Sequence, residues 1–374
     1  MFKKYNLRNY NFILVIALVI ATTLGVLVIN SASSDPSDWK KQIIGFVLGL
    51  FCMLVVSLID YNFILKFYWL IYLLNMVLLI IVKFWGKNVN GATRWYEINL
   101  GSSSITIQPS EFTKIFLILF LAKLLFVLRD RFNSFRYLAL IAGIIMIPIA
   151  MVLTQPDLST TLLICMVLVT MVYCAGLHYK IIGIILLFAV PIVTAALIYI
   201  QQPNQKLLYP HQVKRIMAFI DPDNYEDLRY QQDYSTLAIG SGQLYGKGLN
   251  NTSSQSIKNA GYISEAETDF IFAVVGEELG FVGSCSVLFL LGFMVFECIL
   301  TAIRAKDFTG RMIACGMASL IAYQTFINIG VATEILPNTG LPLPFISKGL
   351  SSLVALYGGM GVILNISLQR KSNG

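Results

Sequence analysis

Charge is scarce in this sequence. Only 13% of its 374 residues are Asp, Glu, Lys or Arg, against 57% hydrophobic, and the mean hydropathy of +0.73 excludes a domain wetted over its whole surface. Histidine is scarcer still: His178 and His211 are too few and too scattered for a zinc or haem site. The six cysteines, at 52, 165, 174, 285, 298 and 315, all fall inside or at the ends of apolar runs. They read as small buried hydrophobes, which excludes a disulfide framework and any metal-ligand spacing. No internal repeat is evident, which disfavours an inverted-repeat transporter. The net charge of +7 does not point to nucleic acid, because the basic residues gather at the edges of apolar runs.

What is present is a succession of those runs, at about residues 12 to 30, 43 to 59, 64 to 84, 112 to 128, 137 to 154, 160 to 176, 181 to 200, 269 to 302, 312 to 333 and 351 to 367. A hydrocarbon layer of ~30 Å needs ~20 apolar residues per helix, so the expectation is an all-α, polytopic membrane protein of about ten transmembrane helices. The first run is longer than the ~7 to 15 residues of a secretory signal core and reads as a retained span. With the N-terminus in the cytoplasm, the inner connections hold Lys3, Lys4, Arg8, Lys66, Arg129, Arg131, Arg136, Lys180, Arg304, Lys306, Arg311, Arg370 and Lys371. The short outer loops hold mainly Lys40, Lys41, Lys87 and Arg94. This asymmetry places both termini in the cytoplasm of a multi-pass protein forming a single membrane domain, 1–374.

Two outer segments are long enough to build something: residues 85 to 111 and, between the seventh and eighth helices, the extracytoplasmic loop 201–268. The larger one, with Pro203, Tyr209, Met217, Phe219, Tyr230 and Tyr234, is too aromatic for disorder and is expected to fold onto the bundle. Its Gly240, Gly242, Gly246 and Gly248 read as tight turns or close backbone approach, because no strand precedes them as a phosphate loop requires. No organic cofactor is expected. The eighth run, Asp269 to Ala302, would be about 50 Å long as one helix and should bend near Gly276, Gly280 or Gly283.

Ionisable residues near lipid are costly and therefore candidates for function. Glu111 and Lys114 open the fourth span on one helical face, where they can pair with each other or with a ligand. Asp157 heads the sixth span, where a carboxylate also suits a helix N-terminus. Arg94 and Trp95, taken alone, read as an interfacial anchor pair. Asp269 is at face value a helix cap. Its company argues for more: Glu265, Glu267, Asp269, Glu277 and Glu278 form an acidic end facing a loop with Lys214, Arg215, Arg229 and Lys247. Such a pairing suits an anionic, sugar-bearing substrate and a general base, since partial desolvation raises a carboxyl pKa.

These segments together resemble the SEDS family of cell-wall proteins (RodA, FtsW and SpoVE). The resemblance rests on Asn90-Gly91-Ala92-Thr93-Arg94-Trp95, Gln108-Pro109-Ser110-Glu111-Phe112-Thr113-Lys114, Gln155-Pro156-Asp157-Leu158-Ser159-Thr160, Ala238-Ile239-Gly240-Ser241-Gly242 with Gly246-Lys247-Gly248, Thr268-Asp269-Phe270-Ile271-Phe272-Ala273 with Gly276-Glu277-Glu278-Leu279-Gly280, and Gly340-Leu341-Pro342-Leu343-Pro344-Phe345-Ile346-Ser347. They occur in family order over nearly the whole chain. The resemblance implies a peptidoglycan glycosyltransferase of the bacterial cytoplasmic membrane that polymerises lipid II at the outer face, with Asp269 as general base and undecaprenyl pyrophosphate as leaving group. Arg94, Trp95, Gln108, Glu111, Lys114, Asp157, Arg215 and Lys247 are the expected substrate-binding residues. A divalent cation (magnesium or manganese) sharing the pyrophosphate, and a class B penicillin-binding protein as partner, also follow from the resemblance. Two departures stand out: Glu267 where the family often has His, and Lys348-Gly349-Leu350 where an aromatic and two glycines are common. The alternative reading, a lipid II flippase, needs a polar path, and Lys123, Gln324 and Asn328 are the main polar interruptions of the spans.

Overall fold

The computed structural model describes residues 9–33, 35, 37–89, 92–100, 103–202, 205, 208, 210–251, 256–258 and 261–369. Lys3, Lys4, Arg8, Arg370 and Lys371 of the charge pattern, Asn90 and Gly91 of the first motif, and Pro203 and Tyr209 of the large loop lie outside these residues.

Helices occupy the expected apolar runs. They are α1 (Phe12–Ala32), α2 (Ser37–Leu58), a short α3 (Tyr61–Ile64) leading into α4 (Tyr68–Trp85), α5 (Pro109–Val127), α6 (Phe135–Thr154), α7 (Leu158–Cys174) and α8 (Tyr179–Ile200). After the large loop, which forms α9 (Pro210–Ile220) and α10 (Glu226–Ser241), come α11 (Ile271–Arg304), α12 (Phe308–Ala332) and α13 (Leu350–Leu368). Among the described residues eight of the spans are long and apolar enough to cross a membrane outright, counting α3 and α4 as one. The remaining two are α7, an apolar helix of 17 residues, and α5, which carries Glu111, Lys114 and Lys123. α5 tolerates these charges because it is central, touching α4, α6, α7, α12 and α13. α8, by contrast, stands at the rim with its apolar side chains outward. Phe51, Leu187 and Phe289 are each 67 to 75% exposed, a surface that only lipid tails make affordable.

The all-α expectation needs one addition. The described residues between 85 and 111 include a small antiparallel sheet, β1 (Lys87–Val89), β2 (Ala92–Leu100) and β3 (Ser103–Ile107), in the order β1-β2-β3. It touches α4, α5 and α13 at one end of the bundle. The large loop folds onto the same end. α10 packs on α11 and α12, with Gln232 donating to the carbonyls of Val331 and Leu336 (2.9 Å each) and Ser235 to that of Ala332 (2.8 Å).

The long eighth run breaks at one of the three glycines the sequence offered. Gly280 has φ 67° and ψ −163°, a conformation open only to glycine, while the chain on either side is helical. Its neighbours explain the choice. A Cβ on Gly280 would stand 2.3 Å from the Gly246 nitrogen, and one on Gly242 would stand 1.9 Å from the Gly276 oxygen, so α10 and α11 meet backbone to backbone. Close approach is thus the role of Gly242 and Gly246, whereas Gly240 faces open space.

Candidate functional site

Asp269 sits in a tight turn just before α11. The Glu265 carbonyl accepts the backbone N–H groups of Thr268 and Asp269 at 3.1 and 3.2 Å. Asn328, on α12, donates to the carbonyls of both Asp269 (2.8 Å) and Leu341 (2.7 Å), and the Ser347 hydroxyl donates to the Thr268 carbonyl (2.6 Å). The main chain of Asp269 is therefore held from three sides, leaving its carboxylate as the free end.

That carboxylate points over Gly340. A Cβ at Gly340 would lie 3.1 Å from Asp269 Oδ2 and 3.5 Å from an Arg215 guanidinium nitrogen, so glycine at this position, with φ +72°, keeps the space between acid and base open. Asp269 is densely surrounded yet partly reached by solvent, the signature of a crevice rather than a dry core. Among the described residues no cation comes within 4 Å of its carboxylate. Burial pushes its pKa up to about 6; Arg215, and more weakly Arg94, oppose the rise, while Glu265 and Asp157 add to it. The same surroundings lower the pKa of Arg215, mainly by burial, with the Asp269 charge acting against that.

Arg94 and Asp157 complete the cluster. Arg94, on β2, donates from Nε to the Gln155 carbonyl (3.2 Å) and from a terminal nitrogen to the Pro156 carbonyl, and lies 3.9 Å from Asp157 Oδ1. Asp157 does cap a helix, accepting the Thr160 N–H at the head of α7 (3.2 Å). Gln212, on α9, also donates to the Pro156 carbonyl (3.4 Å), and the Ser159 hydroxyl donates to the Thr339 carbonyl. Four elements, β2, the head of α7, α9 and the turn before α11, thus deliver Arg94, Asp157, Arg215 and Asp269 to one place, floored by the segment from Thr339 to Ser347.

The other expected site residues are placed differently. Glu111 and Lys114 pair at 2.7 Å with side chains only 3% and 1% exposed, and Lys114 Nζ donates to Gln324 Oε1 (3.2 Å). Gln324 in turn donates to the Pro342 carbonyl (2.8 Å), so this pair lies inside the bundle, linked to the crevice floor and not open to it. Gln324 and Asn328 are bonded to loop carbonyls and to Lys114, which accounts for two of the polar interruptions without a path through the bundle. Trp95 neighbours Arg94 on β2, and the strand's alternation turns it to the opposite face. Gln108 braces the start of α5, its side chain donating to Ser110 Oγ (3.1 Å) and its backbone N–H to Ser351 Oγ (3.0 Å).

Lys247 corrects the picture of one acidic end facing one basic loop. Its Nζ is 2.8 Å from Glu277 Oε1, and the Glu277 carboxylate also accepts the backbone N–H groups of Ile257 (2.8 Å) and Lys258 (3.2 Å). Lys258 Nζ pairs with Glu278 at 2.6 Å. Arg229 pairs with Asp233 at 2.7 Å. Glu277 and Glu278 therefore anchor the loop by neutralising its lysines, and Asp269 is a separate acid. Among the described residues no group of three or more His, Cys, Asp or Glu side chains is arranged to hold a metal ion.

The family model FtsW/RodA/SpoVE, described as "Cell cycle protein", matches residues 10–372. Stage V sporulation protein E of Bacillus subtilis (strain 168) is 33% identical over 376 residues, covering 96% of each chain. The probable peptidoglycan glycosyltransferase FtsW of the same organism is 32% identical over 382 residues, covering 98% of this chain and 92% of its own. A chain from a solved structure described as "Structural coordination of polymerization and crosslinking by a peptidoglycan synthase complex" superposes with a TM-score of 0.78 at 27% identity, over 96% of this chain and 97% of its own. The chain is a multi-pass membrane protein and belongs to the FtsW/RodA/SpoVE (SEDS) family.

Proposed function

We propose that this protein is a peptidoglycan glycosyltransferase that joins lipid II units into glycan strands in the Asp269 crevice. The observation that carries the reading is a partly solvated carboxylate with a raised pKa, facing Arg215 and Arg94 at the end of a membrane bundle. In this reaction the 4-hydroxyl of the acceptor's N-acetylglucosamine attacks the anomeric carbon of the strand's lipid-linked muramyl unit, with inversion. Asp269 takes the hydroxyl proton as the new C–O bond forms; the old C–O bond breaks with its electron pair, and undecaprenyl pyrophosphate leaves. A base with a pKa of about 6 is mostly ionised at neutral pH yet accepts a proton readily. The two arginines supply fixed positive charge where the departing pyrophosphate gains negative charge.

The charge asymmetry of the loops supports a crevice at the outer face of the bacterial cytoplasmic membrane, with both termini inside. There the lipid tails remain in the bilayer while the sugars enter from the aqueous side. Magnesium or manganese, if it takes part, would be held chiefly through pyrophosphate oxygens and at most one or two carboxylates, since the donor set described above forms no dedicated cage. A class B penicillin-binding protein is the expected partner, in keeping with the synthase complex to which the fold is similar.

The test is a pH profile of glycan synthesis by the purified protein with lipid II. Protonation of Asp269 removes the base, so kcat/KM should rise with pH through about 6 and then level off. Arg215→Gln removes the charge that favours the carboxylate and should move this acid limb to higher pH. A profile flat from pH 5 to 8 would contradict the assignment.

A further inference from the structure

Glu267 and Lys348, eighty-one residues apart in sequence, stand against each other in space. Lys348 Nζ lies 3.3 Å from Glu267 Oε1 and 2.6 Å from Asp38 Oδ2, so one ammonium bridges the turn before α11 and the head of α2. Asp38 is more than nine-tenths buried, and its carboxylate also accepts from the Ser33 hydroxyl (2.6 Å). The backbone follows the side chains. Lys348 N–H donates to the Glu267 carbonyl (2.9 Å), while Gln42 donates to the Ser347 carbonyl (3.1 Å) and accepts from Gly349 N–H (3.1 Å). Glu267 is two residues from Asp269, and its carbonyl is next in the chain to the Thr268 carbonyl held by Ser347.

We propose that Asp38, Lys348 and Glu267 form one positioning unit that aims the Thr268–Asp269 turn over Gly340, and that Glu267 and Lys348 work as a matched pair. The proposal rests on the reading of Asp269 as the base. An uncharged side chain at 348 would leave the buried Asp38 without its cation; the lysine satisfies Asp38 and, through the same nitrogen, fixes the residue two before the base. Aim matters because a displacement of about 1 Å at a reacting group can cost on the order of 100-fold in rate.

The experiment uses the full chain, alone and with its co-purified partner, assayed for polymerisation of lipid II. Lys348→Met and Glu267→Gln should each lower kcat by about 10- to 100-fold with KM for lipid II changed less than twofold, and Lys348→Arg should recover most of the loss. Because the pair is one unit, the double variant should be no slower than Lys348→Met alone. Hydrogen exchange at residues 266 to 270 should quicken in Lys348→Met. Should Lys348→Met not fold, Glu267→Gln and Lys348→Arg still decide the matter. Wild-type kcat in Glu267→Gln, or losses in the single variants that multiply in the double, would overturn the positioning role while Asp269→Asn remained inactive. Full activity in Asp269→Asn would instead remove the base assignment itself, and this proposal with it.

Discussion

Asp269→Asn is expected to lower glycan polymerisation from lipid II by on the order of 10³-fold, with the protein still folded. Asn keeps the size of the side chain and can still face Arg215 and Gly340, but it cannot take the acceptor's proton. Stability should move the other way. Burial holds the Asp269 pKa near 6, above its ordinary 3.8, so the folded chain binds this proton more tightly than the unfolded chain does. The stability linked to that proton is fully present below about 3.8 and is lost as pH rises through about 6. At neutral pH the native protein therefore holds a charge that its surroundings disfavour, and the Asn variant should melt at the same temperature or higher. Gel analysis of labelled product and a thermal scan of the detergent-solubilised protein measure both effects. Activity lost together with a collapse in melting temperature would point to a structural role.

Glu111 and Lys114 should behave in the opposite sense. Their ion pair is almost fully enclosed, so neutralising one partner leaves the other charge buried and uncompensated. Lys114→Met or Glu111→Gln alone is expected to destabilise the protein by about 3 to 5 kcal/mol, whereas Glu111→Leu with Lys114→Met should cost far less. Melting temperatures of the three variants give the comparison. If the double variant is as unstable as the sum of the singles, the two residues do not act as a pair. Its effect on polymerisation is informative too, because Lys114 reaches the crevice floor only through Gln324 and the Pro342 carbonyl.

Much of this architecture is legible in the residues. Ten apolar runs match the ten spans seen among the described residues because a bilayer span has a fixed length and a helix a fixed rise. The same length argument requires a break in the run from Asp269 to Ala302. It cannot choose among Gly276, Gly280 and Gly283, because the choice lies with Gly246 and Leu244, which press on Gly280 from a loop over thirty residues away in sequence. The sheet at 87–107 is less visible. Thr93 to Ile98 and Ser103 to Ile107 are rich in β-branched and aromatic residues, a strand signal, but each run is short and stands between strong membrane helices.

The site divides in the same way. Asp157 and Asp269 carry a readable signal, charge placed at helix heads, and Arg94 and Arg215 another, charge in the two long outer segments; the fold brings the four together. Lys247 carries the same signal and ends on Glu277, because composition does not say which carboxylate a lysine meets. Asn328 and Gly340 carry a weaker signal in the sequence. Asn328 reads as a polar interruption of a span, and its value as a clamp on the Asp269 and Leu341 carbonyls depends on where the Gly340 to Ser347 segment folds back.

The most direct test of the account is the accessibility of position 269. In right-side-out membrane vesicles, the Asp269→Cys variant should react with a membrane-impermeant maleimide, and lipid II should slow the reaction by occupying the crevice. Labelling confined to inside-out vesicles, or none until the protein is denatured, would contradict a catalytic carboxylate that meets its substrate at the outer face.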